Sequence, residues 1–357
     1  MKTLNVGAGV ILENTANNTS FCNINYCRII GLAAILLIAS ACLGNAATIT
    51  VDDGISSADY SSIQDAINDS RPGDTILVSP GIYNENVNVD RQLNISSTDG
   101  AVVTKVISAS VYDHVFEVTA DRVTISGFTV SSDTIGNNEN EIAGIYLRSN
   151  DNKLTNNILY ENYCGIALND SNNNELTGNT ALSDGGEYGI HVYSSSNNTV
   201  SNNVVYFTGT YITYGISQED SNNNRLFNNS VCGSRYSGIE LRNSNYNILT
   251  GNSVTNTDEG PGIHISSSNY NLLTNNVANG YSGILVSGSN NLLDSNSIRY
   301  CVDYIISVDG SNNTLTNNTA TDNTTYSNYD DFNIDQSSSD NTIMEAILQL
   351  PFTVSTW

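Results

Sequence analysis

Methionine, proline and tryptophan are nearly missing from this 357-residue chain, which holds 2 Met, 4 Pro and 1 Trp. Positive charge is scarce too: 12 Lys+Arg face 36 Asp+Glu, a net charge of −24. Such a field repels phosphate backbones and argues against nucleic acid as a partner. Low charge density with abundant Asn, Ser, Thr and Gly can signal disorder, because such chains often bury too little apolar surface to offset the entropy of ordering. Hydrophobic residues nonetheless make up 39% of the chain, and Ile, Leu and Val recur at fixed spacing, which points to an ordered all-β protein.

Long apolar runs are confined to the N-terminus. IIGLAAILLIASACL, Ile29 to Leu43, follows Arg28 and precedes the small residues Gly44, Asn45, Ala46 and Ala47. At about 15 residues it is short for a span of about 20 and fits a secretory signal cleaved near Ala46 or Ala47. The 27 residues ahead of Arg28 are long for the leading part of a signal, so an uncleaved anchor is the alternative. Only in that case would this chain touch a membrane. Cys42 follows Ala39-Ser40-Ala41, a poor lipidation box. The expected organisation is an extension and signal over 1–47, one repetitive domain over 48–343 and a tail over 344–357.

What is present repeats. Gly144-Ile145, Gly165-Ile166, Gly189-Ile190, Gly215-Ile216, Gly238-Ile239, Gly262-Ile263 and Gly283-Ile284 recur every 21 to 26 residues, with Tyr304-Ile305 in the eighth place. A second column, Asn157, Asn179, Asn203, Asn229, Asn252, Asn276, Asn296 and Asn318, keeps the same beat. A third runs through Leu154, Leu176, Val200, Leu226, Leu249, Leu273, Leu293 and Leu315. Three short strands per period of about 23 residues make one coil of a parallel β-helix. Asn tolerates left-handed turns, and in coils stacked about 4.8 Å apart each amide can donate to the next, forming a structural ladder.

The segment DYSSIQDAINDSRPGDTILVSPGIYNENVNV, Asp59 to Val89, resembles the opening of pectin-lyase-like right-handed β-helices, in which a short helix caps the first coil. The later coils resemble the NosD-type copper-binding β-helix family and related archaeal cell-surface proteins. The expected fold is therefore an all-β, right-handed, single-stranded parallel β-helix of about 12 coils with an N-terminal capping helix, on the cell surface or secreted. Ser61-Ser62-Ile63-Gln64 reads as the capping box of that helix, with Ile63, Ala66 and Ile67 as its apolar stripe and Pro72-Gly73 as its stop. Cys164, Cys232 and Cys301 lie about three coils apart, too far for a disulfide scaffold, and read as buried core thiols. Copper sites draw on His, Met and Cys. Here His114, His191 and His264 are dispersed and Met1 and Met344 stand at the ends, so no metal or cofactor is expected and calcium enters only as an adventitious ion.

In each Gly-Ile strand the Ile points inward, so the residue after it and the one two further on point outward. Over four coils these are His191 and Tyr193, Ser217 and Glu219, Glu240 and Arg242, His264 and Ser266. The loops entering this face carry Tyr211, Tyr214, Tyr236, Asp258 and Glu259. Aromatic rings beside carboxylates, His and Arg suit a polysaccharide or envelope glycan, with His191, Tyr193, Tyr211, Tyr214, Tyr236 and Arg242 as candidate contacts. The same residues also suit an ordinary solvated face. The leading expectation is a structural or adhesion module that binds glycan. The alternative is a polysaccharide-degrading enzyme of the hydrolase, lyase or epimerase type. For it, two carboxylates about 5 to 9.5 Å apart are needed, and Glu219, Glu240 and Asp258, with His264 as a base, are the candidates. Lyases resembling this sequence carry clustered calcium-binding aspartates and paired Lys/Arg, and neither pattern is present. Glycosylation sequons begin at Asn68, Asn94, Asn169, Asn197, Asn228, Asn312, Asn317 and Asn323. Those within the ladder are expected to be buried, leaving Asn68 and Asn323 as acceptors.

Overall fold

The structure, a computed structural model, describes residues 46–54, 57–132, 142–183, 186–207, 213–255, 257–299, 301–321, 332–334, 340–344 and 347–348. The apolar run Ile29–Leu43, Tyr211, Asn323 and the last nine residues lie outside them. Among the described residues no helix is long and apolar enough to cross a membrane.

Short strands stack into three parallel sheets of 13, 11 and 12 strands, one strand of each per coil, close to the coil number the spacing implies. The column Leu154, Leu176, Val200, Leu226, Leu249, Leu273, Leu293 and Leu315 is in direct register in the 13-stranded sheet and fully buried. In the 11-stranded sheet Ile145, Ile166, Ile190, Ile216, Ile239, Ile263 and Ile284 form the second core column. The third sheet contributes Leu159, Ala181, Val205, Val231, Val254, Ala278 and Ile298. The periodicity arises because every coil must turn the same three apolar positions inward over its neighbour.

The glycine before each core Ile is required by close approach. A Cβ on Gly215 would lie 2.2 Å from Val231 Cγ1 and 2.3 Å from the carbonyl oxygen of Gly238 in the next coil. The eighth place corrects the spacing: Ile284 pairs with Ile306, not Ile305. Ile305 is also buried, and its carbonyl faces the Gly283 position, so this coil holds one more residue than the repeat implied.

The Asn ladder is continuous. Nδ2 of Asn157, Asn179, Asn203, Asn229, Asn252, Asn276 and Asn296 donates to Oδ1 of the next member at 2.9 to 3.1 Å, ending on Asn318. The same Nδ2 also donates to a carbonyl one coil back, as Asn229 does to Val200 at 2.8 Å. A second buried ladder was not foreseen. Asn152, Asn174, Asn198, Asn224, Asn247, Asn271, Asn291 and Asn313 each donate a backbone N–H to the next side-chain oxygen at 2.6 to 2.9 Å, and the last of them reaches Asn341 at 2.7 Å. A serine row three residues earlier, including Ser171, Ser195, Ser221, Ser244 and Ser268, runs beside it. The turn and the ladder are made by different residues. The residue before each ladder Asn takes the left-handed conformation, as Asn156, Asn197, Asn228 and Asn317 do with φ of 52 to 61°.

The helix Ile63–Asp69 buries Ile63, Ala66 and Ile67 at the end of the stack. Its cap differs from the expected box by one residue: Ser62 Oγ accepts from the Asp65 N–H at 3.2 Å. The Glu85 carboxylate then takes the Ile63 and Gln64 N–H groups at 2.9 and 2.8 Å. Carboxylate at a helix N-terminus satisfies otherwise orphaned donors. A strand ahead of the helix, Thr48–Val51, pairs with Thr75–Val78 and begins the 13-stranded sheet. Cys164, Cys232 and Cys301 lie in separate coils, and only Cys301 takes the expected core position: Cys164 is buried in a separate small cluster with Ala143 and Ala167, and Cys232 is only partly buried.

Candidate functional site

The 11-stranded sheet carries the outward columns as the alternation implies. Ala167, His191, Ser217, Glu240, His264 and Leu285 pair in sequence along one, and Asn169, Tyr193, Glu219, Arg242 and Ser266 along the other. The middle of the first column is buried, with His191 9%, Ser217 1% and Glu240 7% exposed, whereas His264 and Leu285 are partly exposed. Rings cover it. Tyr188 stacks on His191 at 4.2 Å and on Tyr214 at 5.4 Å, and Tyr214 stacks on Tyr236 at 5.7 Å.

A cleft of about 400 Å³ opens on this sheet, a size within the range of small-molecule sites. Its lining includes His114, Tyr146, Asn169, Tyr188, His191, Tyr193, Glu219 and Arg242. Of the expected contacts, His191, Tyr193 and Arg242 line it, whereas Tyr214 and Tyr236 continue the ring stack away from it and Tyr211 is outside the described residues. Of the candidate acids and bases, only Glu219 lines the cleft. Glu240 sits beneath the surface, 3.4 Å from His264 Nδ1 through one oxygen and 3.5 Å from the Ser217 hydroxyl through the other. Asp258 lines a separate depression with Thr255, Thr257, Asn279, Gly280, Tyr281 and Val302, so it is not a partner for Glu219 in one site.

Two lining residues escaped the sequence reading. His114 and Tyr146 stack at 4.1 Å with their planes 5° apart, and Asn169 Nδ2 donates to the Tyr146 hydroxyl at 3.0 Å. The coil holding His114 lies before the first Gly-Ile pair, so the repeat alone did not place it. The signal was the apolar alternation around Phe116, which pairs with Ile145.

The electrostatics favour neutral or paired groups. Burial pushes His191 down to about 4, so its imidazole is neutral at neutral pH. Burial also lowers His114. Tyr188 is pushed up by burial first and by Glu187 second. Arg242 Nη2 donates to Glu219 Oε2 at 2.6 Å. Burial of Arg242 works to lower its pKa, but the Glu219 carboxylate outweighs it and holds the guanidinium charged. Two buried nitrogens of cleft residues, His191 Nε2 and Arg242 Nε, have no hydrogen-bond partner among the described residues.

A three-sheet parallel solenoid with a ring-lined cleft on one sheet defines a parallel β-helix. The chain belongs to the family described as periplasmic copper-binding protein (NosD), which matches residues 67–280, and residues 237–348 match the right-handed β-helix region. A cell surface glycoprotein of Methanothermus fervidus is 28% identical over 262 residues, covering 72% of this chain and 44% of that protein. The chain thus spans less than half the length of this relative. DFA-IIIase from Arthrobacter chlorophenolicus, in complex with GF2, has a TM-score of 0.64 at 14% identity over 83% of this chain and 93% of its own. The mannuronan C-5 epimerase AlgE6 A-module of Azotobacter vinelandii gives 0.57 at 13% identity over 81% and 94%. The catalytic domain of a GH87 α-1,3-glucanase in complex with nigerose gives 0.58 at 15% over 82% and 67%. At these identities the likeness concerns the fold.

The donor set does not fit copper. Among the described residues no three His, Cys, Asp or Glu side chains converge as a metal site. His114 Nδ1 already accepts the Ala143 N–H at 3.0 Å, and His264 faces Glu240.

Proposed function

We propose that this protein is a cell-surface β-helix whose cleft binds a neutral glycan chain without cleaving it. The observation that carries the reading is the state of the cleft's charged groups. Among the described residues Glu219 is the one acidic residue lining it, and it is held by Arg242. Sugar hydroxyls are both donors and acceptors and can bond this partly exposed carboxylate–guanidinium pair. Tyr193, 38% exposed at the mouth, offers a flat apolar face to a sugar ring.

Cleavage of a glycosidic bond calls for two carboxylates with different protonation states on either side of the bond. A carboxylate paired with arginine suits recognition instead. The net charge of −24 favours neutral over acidic glycans, because the field repels uronates and sulfates. The similarity to a cell surface glycoprotein supports an envelope location, with the segment around Ile29–Leu43 as the export signal. The test is a panel of neutral and acidic polysaccharides scored for binding and for release of reducing ends. Binding to neutral chains without release supports the reading; release that disappears in Glu219→Gln supports a hydrolase instead.

A further inference from the structure

The sequons and the ladder share a frame. In the motif Asn-x-Ser/Thr the first Asn is the acceptor. Asn197-Asn198-Thr199, Asn228-Asn229-Ser230, Asn312-Asn313-Thr314 and Asn317-Asn318-Thr319 each place that first Asn in the left-handed turn, with φ of 61, 54, 59 and 52°. All four acceptors are exposed, and in all four the second Asn is the buried ladder member. The ladder therefore buries the wrong residue for glycosylation to be blocked, the reverse of the expectation from sequence.

Side-chain contacts divide the acceptors further. Asn169 Nδ2 is held by the Tyr146 hydroxyl in the cleft, and Asn317 Nδ2 donates to Asp294 Oδ1 at 3.1 Å. The sequon at Asn68 ends on Ser70, which is buried with its hydroxyl donating to the Ile67 carbonyl at 2.7 Å. Asn94 lies inside a strand, flanked in register by Thr75 and Thr124. The side chains of Asn197, Asn228 and Asn312 make no hydrogen bond among the described residues and sit at turns.

We propose that Asn197, Asn228 and Asn312 carry N-linked glycans, which rests on the cell-surface reading because the modification follows export. In the transfer, Nδ2 attacks the anomeric carbon of an oligosaccharide carried on a lipid phosphate. The C1–O bond to phosphate breaks and its electron pair leaves with the phosphate, while a C1–N bond forms and Nδ2 gives up one proton. The three sites lie on the two turn rows that border the 13-stranded sheet, and a glycan there leaves both ladders and the core untouched. Turn asparagines thereby serve a second purpose beyond closing the coil.

The experiment takes the full chain from cells that make it naturally, digests it with a glutamyl endopeptidase and maps glycopeptides by mass spectrometry, with protease shaving of intact cells in parallel. The expected result is glycan on Asn197, Asn228 and Asn312, none on Asn169 or on Asn198, Asn229 and Asn313, and loss of that glycan mass in an Asn197→Gln, Asn228→Gln, Asn312→Gln variant that melts like the deglycosylated wild type. Unmodified turn asparagines on a protein that shaving shows to be at the surface, or glycan on a ladder asparagine, overturn the inference. If shaving spares the protein and it is unmodified, the surface reading falls with it.

Discussion

Glu219 and Arg242 stand in the same outward column of successive coils, and the 2.6 Å bond from Arg242 Nη2 to Glu219 Oε2 ties a carboxylate of the cleft to a guanidinium. Both side chains are partly exposed, 25% for Glu219 and 43% for Arg242, so the pair contributes little to folding. Arg242→Ala should cost less than about 1 kcal/mol in stability. It should weaken glycan binding about tenfold, since it removes a ligand donor and frees a carboxylate. Chemical denaturation and calorimetric titration on one preparation check both, and a large stability loss with unchanged affinity would assign the pair to the scaffold.

His191 makes stability depend on pH. Its folded pKa of about 4 lies below the unfolded value of about 6.5, so between these the unfolded chain binds the extra proton. The contribution is fully present above pH 6.5 and is lost as pH falls toward 4. From pH 7 to pH 5 the loss should be roughly 2 kcal/mol, and His191→Gln should flatten that part of the profile. Melts at pH 7, 6 and 5 for both proteins measure it. Equal slopes would mean that the ring is not held neutral by burial.

Asn252 donates through Nδ2 to Asn276 Oδ1 and to the Leu226 carbonyl, and its Oδ1 receives both the Nδ2 and the backbone N–H of Asn229. Asn252→Leu strands groups in the coils above and below and should cost on the order of 1 to 3 kcal/mol, as should Asn229→Leu. Unchanged melting temperatures for both would contradict a stabilising ladder.

Gln218 interrupts an apolar column between Val192 and Leu241, is fully buried, and has neither amide atom hydrogen-bonded among the described residues. Replacing it by Leu removes an unsatisfied amide at nearly constant volume, so Gln218→Leu should raise stability by about 1 to 3 kcal/mol. A lower melting temperature would mean that the amide has a partner in solution.

The solenoid was legible because stacking forces identical demands on every coil: the Gly-Ile, Leu and Asn columns are in register with the strands they implied. The outward columns were legible for the same reason, since a core Ile fixes which neighbours face away. Features that depend on how one coil departs from the repeat were not. Ile306 replaced Ile305 because a coil gained one residue, and Ser62 replaced Ser61 because Glu85, from another coil, completes the cap. The cleft moved toward His114 and Tyr146 because it forms where the regular repeat begins, and Tyr236 fell outside it because ring stacking carries it along the rod. The second Asn ladder was hidden by the doublets: in Asn197-Asn198 one residue turns the chain and the other joins the stack, and the sequence does not say which.

Calorimetric titration of a neutral oligosaccharide into wild type, Tyr193→Ala and Tyr236→Ala tests glycan binding in the cleft most directly. Tyr193 is at the mouth and Tyr236 is not, so Tyr193→Ala should lose about 1 to 3 kcal/mol of binding free energy while Tyr236→Ala binds as wild type does. Equal affinity of Tyr193→Ala and wild type, or no binding by wild type across the neutral panel, would contradict it.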